Sequence, residues 1–239
     1  MRLNKLSLNA DKSEFMVIGH SRQQNNLKEL TEIEVNLKKI GRVTKTKYLG
    51  LNIDENLSWK DQYKKVKAKV KSGLSALRKL KDILPQSKLA AIYRALIESH
   101  LRYGNIIWGC ISDTKISTLQ KLQSRAKTLI ENAKYKDGWI CGWLPVKELI
   151  IFNRLVMTHK ILHGNCPDNL QNKFTQRSQI SSYSMRNSQN LHLPKPRLEF
   201  TKKSFQFTGA AAWNEIPQKC RDLPSLNSFK KEVKQLLRS

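Results

Sequence analysis

Asp54 and Glu55 are the only adjacent carboxylates in this sequence, and they close an apolar run, YLGLNI, just before Trp59. Phosphoryl transfer by two metal ions needs carboxylates that converge within a few ångströms. Successive residues of a strand point to opposite faces, so this pair does not readily share a metal and reads equally as a solvated turn at a strand end. His159, His163 and Cys166 form an H-x3-H-x2-C pattern on a helical stretch, with both imidazoles on one face. Zinc would need a fourth ligand, and Lys160 and Ile161 stand where the HExxH motif has its glutamate and the residue after it. Partly exposed histidines at a helix end are the alternative. No serine lies in GxSxG, no glycine-rich phosphate loop occurs, and Cys110, Cys141, Cys166 and Cys220 form no CxxC. The expectation is therefore no metal, no cofactor and no self-sufficient catalytic constellation.

The lysines carry more information. From Lys60 to Lys81 the basic residues are Lys60, Lys64, Lys65, Lys67, Lys69, Lys71, Arg78, Lys79 and Lys81, against the single acid Asp61. A solubilising helix face usually mixes both signs, whereas one sign along one face suits a phosphate backbone. A simple solvated face remains the competing reading. The whole chain shares the bias, with 44 Lys and Arg against 19 Asp and Glu, a formal charge of +25 over 239 residues. Such a surplus points to polyanions, RNA or DNA first, because each phosphate contact releases counterions. Trp59, Tyr63, Tyr93, Tyr103 and Trp108 are candidates to stack on bases, or else core residues at helical spacing.

These residues need elements to hold them. FMVIG, IEVNL and YLGLNI read as strands of one small antiparallel sheet with too few strands to complete a core. After Trp59 the apolar period becomes helical through Tyr63, Val66, Val70, Leu77, Leu80 and Leu84, interrupted at Gly73 and ended by Pro85. Further amphipathic helices are predicted over 87–103, from about Ser112 to Ile130, and over 146–162 between Pro145 and Gly164. Residues 176–197 are polar and read as a loop or linker. A helical stretch over 202–213, the turn EIPQKC and a basic amphipathic helix over 225–237 follow. The fold class expected is α+β, mainly α. No run is long enough to cross a bilayer and no signal peptide opens the chain, so an intracellular protein, nuclear or cytoplasmic, without a membrane partner is expected.

The ordered pieces LNKLSLNADKSEFMVIG, KYLGLNIDENLSWKDQYKKV, AIYRALIESHLRYGNIIWG and LQKLQSRAKTLI resemble the region downstream of the YxDD box in reverse transcriptases of non-LTR, LINE-type, jockey-like retrotransposons. The tail PRLEFTKKSFQFTGAAAWNEIPQKCRDLPSLNSFKKEVKQLL is similar to the carboxyl-terminal region of such polyproteins. The resemblance implies the end of a polymerase palm over 1–56, a helical thumb over 57–135, carboxyl-terminal helices over 136–175, a linker over 176–197 and a basic helical segment over 198–239. Lys12 would match the motif D lysine that helps protonate pyrophosphate. Tyr48, Leu49 and Gly50 would match the primer grip. Trp59, Lys60, Lys64, Lys67, Lys71 and Arg78 would then face a template–primer backbone. The full-length family uses Mg2+. This sequence holds neither the YxDD aspartates nor the first palm aspartate, so the implied protein is a truncated polymerase without nucleotide transfer, keeping non-specific affinity for RNA, DNA or their hybrid. A repurposed RNA-binding or protein-interaction module and a genomic relic without function are the alternatives.

Overall fold

Short antiparallel strand pairs precede the described helices in this chain. The computed structural model describes residues 9, 12–19, 30–35, 38–180, 189–196 and 199–238. Contacts divide the chain into two units, Met1–Lys65 and Val66–Ser239. This boundary lies several residues beyond the one expected before Trp59. It falls inside a helix, at Val66, the first buried apolar residue of that helix.

In the first unit β1 (Glu32–Val35) pairs antiparallel with β2 (Lys38–Gly41), and β3 (Lys45–Tyr48) pairs antiparallel with β4 (Leu51–Asp54). Among the described residues these are two separate two-stranded sheets, not the single sheet expected. FMVIG is no strand either: Phe15 alone makes an isolated parallel bridge to Arg42. YLGLNI, expected as one strand, is the bend of a hairpin. Tyr48 pairs with Leu51 across a two-residue turn in which Leu49 has φ 44° and Gly50 φ 79°. Positive φ at both central residues is the I′ geometry that matches the strand twist.

The second unit is helical. Helix α1 (Lys60–Leu80) begins in the first unit and lays Val66, Val70, Leu74 and Leu77 inward. Gly73 does not interrupt it. A Cβ there would lie 2.6 Å from Ile97 Cγ1 and 3.0 Å from the Leu96 carbonyl oxygen, so the glycine is the notch that admits the next helix. That helix is α2 (Gln86–Tyr93), continued by a π turn, Arg94–Glu98, and by α3 (Ser99–Arg102). Gly104, left-handed at φ 62°, turns the chain into α4 (Asn105–Trp108), and α5 (Asp113–Glu131) follows.

Helix α6 (Val146–Leu162) is apolar around most of its circumference, and Val146, Leu149, Ile150, Phe152, Leu155 and Ile161 are all buried. A helix of that kind must be surrounded. It packs on α3, α4 and α5, and also on α9 (Phe205–Glu215) and α11 (Leu226–Leu236), after the short α7 (Asp168–Gln171) and α8 (Glu199–Lys202). A further turn of helix, α10 (Gln218–Arg221), joins α9 to α11. The segments expected separately as 136–175 and 198–239 thus share one core with the helices before them.

The stretch expected as a linker over 176–197 is tied down where it is described. Gln176 bridges Leu191, the Arg177 N–H donates to the Asn190 carbonyl at 2.9 Å, and Leu191 is 1% exposed. Asn214 then accepts from the Leu191 N–H at 2.8 Å and donates to its carbonyl at 2.9 Å, a two-point clamp. Residues 181–188 lie outside the described part. No described helix is long and apolar enough to cross a membrane.

Candidate nucleic-acid interface

At 100° per residue, Lys60, Lys64, Lys67, Lys71 and Arg78 fall within an arc of about 60° on α1, flanking its apolar stripe. Lys60, Lys64, Lys71 and Arg78 are exposed, and Lys67 is half-buried. Asp61 is the acid of this stretch. It pairs with Lys45 at 2.7 Å and only distantly with Lys64, at 3.9 Å. The hydrogen bond from Lys45 holds the Asp61 carboxyl below its ordinary range and lifts Lys45 above its own. Asp61 is thus committed to the β3 lysine, and among the described residues no carboxylate lies within ion-pair distance of Lys60, Lys71 or Arg78.

Farther along, α1 and α5 leave a groove of about 520 Å³ between them. Lys71, Arg78 and Arg125 supply its cations, Leu74, Leu122 and Leu129 its apolar lining, and Ser75, Ser124 and Thr128 its hydroxyls. No carboxylate lines it. Ser75 Oγ donates to the Lys71 carbonyl and Thr128 Oγ1 to the Ser124 carbonyl, each at 3.2 Å. Those two protons are used within the helices, while Ser124 Oγ accepts from Gln120 Nε2 at 3.3 Å and keeps its own proton, so the groove's free donors are its cations and the Ser124 hydroxyl. Sequence reasoning found Lys71 and Arg78 but missed Arg125. The signal was available: Arg125 lies next to Ala126 on the inward row of α5, at the border where an arginine reaches round to the neighbouring groove.

The other expected site residues disperse. Lys12 is exposed, its N–H donating to the Asn9 carbonyl at 3.2 Å. Tyr48 and Leu49, 64% and 73% exposed, form the tip of the second hairpin, and the Gly50 carbonyl accepts from Lys65 Nζ at 2.6 Å. Trp59 is 6% exposed, so its indole is a core group and offers no face to a base. Tyr93 and Trp108 are likewise fully buried. Tyr93 stacks on Trp143 at 3.9 Å and its hydroxyl accepts from Gln123 Nε2 at 2.8 Å, while burial pushes its phenol well above the ordinary range. Tyr103, at the C-cap of α3, is open at 55%, and Tyr63 is half-buried.

Asp54 has a structural task. Its carboxylate accepts from the N–H groups of Ser58 at 2.9 Å and Trp59 at 3.0 Å and from Ser58 Oγ at 3.2 Å. These bonds hold a turn in which Leu57 and Trp59 have φ of 46° and 56°. Glu55 pairs instead with Arg42 at 3.6 Å, so the two acids diverge.

His159 departs from the partly exposed histidine expected. It is fully buried, stacks on His163 at 3.9 Å, and its Nε2 lies 2.8 Å from the Leu223 carbonyl. The carbonyl can only accept, which fixes the Nε2–H tautomer and leaves Nδ1 without a partner. Among the described residues, no three His, Cys, Asp or Glu side chains gather into a group able to hold a metal ion. No protein-family model matches this chain, and neither a curated protein nor a solved structure matches it.

Proposed function

We propose that this chain binds nucleic acid through the basic face of α1 and the α1–α5 groove, without sequence preference, and that it corresponds to the thumb-side portion of a non-LTR retrotransposon reverse transcriptase. The observation that carries the binding part is the groove with Lys71, Arg78 and Arg125 and no lining carboxylate. The family part rests on the ordered motifs of the sequence, from NADKS to the Trp213–Asn214 pair. The chain holds no Asp-Asp doublet, so the reading assigns it binding and no nucleotide incorporation.

The test is binding of a labelled RNA–DNA primer–template by the purified chain across a salt series, beside single-stranded RNA and duplex DNA. Affinity should fall log-linearly with salt, with a slope of roughly −0.9 per phosphate neutralised. The double variant K71E/R78E should bind all sequences more weakly and with a shallower slope. A folded sample that does not bind at low salt refutes the binding reading. Incorporation of nucleotides on the same template refutes the inactive one.

A further inference from the structure

Arg154 projects from α6 into a second cavity, of about 250 Å³, away from the α1–α5 groove. Its Nε is buried with no hydrogen-bond partner, and no ion pair joins it to any described residue. A guanidinium stays charged at any pH a protein survives, and one drawn partly out of water without a partner is costly. Proteins keep such a group where a further partner completes it.

The surroundings say what that is. Lys147 lies seven residues earlier on the same face of α6, and Lys202 and Lys203 approach from the end of α8. Thr208, from α9, adds a hydroxyl, and its Oγ1 donates to the Ser204 carbonyl at 3.0 Å. Asp113 is the one carboxylate in the lining, against four cations. Lys202 also reaches Glu199, outside the cavity. Isoleucines 111, 116, 150 and 151 form the apolar wall, which strengthens any charge pairing inside. Burial draws the Arg154 guanidinium below its ordinary value, with only the Cys110 thiol opposing.

We propose that this cavity binds a phosphate group, held by the Arg154 guanidinium with Lys147 and Lys203 at its mouth. The fork of an arginine matches two phosphate oxygens at once, and the flanking ammonium groups supply the remaining charge. The group comes either from a small phosphate ligand or from the backbone of a nucleic acid. The inference stands apart from the α1–α5 reading, because none of the residues is shared.

Thermal unfolding of the full chain in sodium phosphate, adenosine monophosphate or sodium chloride at matched ionic strength tests it, with binding of a short oligothymidylate measured in parallel. Phosphate should raise the Tm of the wild type above its value in chloride. R154M should lose that response, and in chloride should melt above the wild type, since it keeps the stem and removes the unpaired charge. K147Q/K203Q, altered only at exposed lysines, should need about tenfold more phosphate for the same shift. If R154M fails to fold, R154K serves, expected to fold and to respond only weakly.

A wild type indifferent to phosphate, or an Arg154 variant that responds as the wild type does, overturns the proposal. Oligothymidylate affinity that falls in R154M assigns the phosphate to a nucleic-acid backbone. Affinity unchanged in R154M, with the phosphate response lost, assigns it to a small ligand. Phosphate stabilisation with no oligonucleotide binding leaves this site standing and removes the α1–α5 reading.

Discussion

Asp54 belongs to the one adjacent pair of carboxylates in the sequence, and its carboxylate is spent on backbone and on the Ser58 hydroxyl. It caps the entry to α1 and fixes two non-glycine residues in the left-handed region. Replacing it with alanine orphans the Ser58 and Trp59 N–H groups, and the loss should be about 1–2 kcal/mol in urea unfolding. Leu49 offers the opposite experiment. It holds φ 44° at a hairpin tip while 73% exposed, so its side chain gives little packing in return for the strain. Leu49→Asn should stabilise by about 1 kcal/mol. A drop in stability would show that the leucine has a contact at the tip worth more than the turn geometry. Neither role could be read from the sequence, because side-chain caps and left-handed leucines leave no periodic signal. The single glycine inside YLGLNI was the one hint of a bend.

Among the elements, the long helices were legible because apolar periodicity, Pro145 and Gly164 mark them, but α1 ends at Leu80, four residues before Leu84, the last residue of its apolar period. The hairpins were not, since four-residue strands are too short for a period to register. Gly73 shows how a correct observation can carry the wrong meaning. A glycine in a helical pattern reads as a weak point, yet here it is where α1 meets the Leu96–Ile97 backbone and side chain. Gly73→Val should therefore destabilise by about 1–3 kcal/mol, despite removing a glycine from a helix, and circular dichroism melts would register it. The contact between α6 and the α10–α11 connection makes a second prediction. Burial lowers the affinity of His159 for a proton, the nearby His163 adds to this, and the hydrogen bond to Leu223 opposes it. The unfolded chain, with its histidine near 6.5, then binds the proton more readily than the native one. Stability from this group is complete above about pH 6.5 and declines as pH falls from there through the lowered native value. His163 is the other titratable side chain facing the ring, with Trp213 and Phe229 on its remaining sides. Urea midpoints at pH 7.5 and 5.5 should differ in the wild type and differ less in His159→Gln.

At the scale of the molecule, the mainly helical α+β class was readable from the patterns, and the basic surplus was readable from composition alone. What composition hides is where the surplus lies. Lys71 and Arg78 meet Arg125 only because α5, distant in sequence, packs beside α1, and Lys147 and Arg154 meet Lys202 and Lys203 only because α8 and α9 return to α6. Sequence distance separates the members of each cluster, so no local motif announces either one. The polar 176–197 stretch is irregular where described, as its composition says, yet composition could not show that Asn214, a residue well downstream, clamps Leu191 into the core.

The position of α6 has a consequence for how this protein is made. Its apolar surface is covered on one side by helices that precede it in the chain and on the other by α9 and α11, which follow much later. A ribosome therefore releases α6 well before the residues that shield it, and the nascent chain carries an open oily flank until α11 emerges. Phe229 and Val233, both fully buried, are synthesised long after the helix they cover. A stop codon placed just after Glu215 should yield a product that engages chaperones and precipitates, even though every residue of α6 is present.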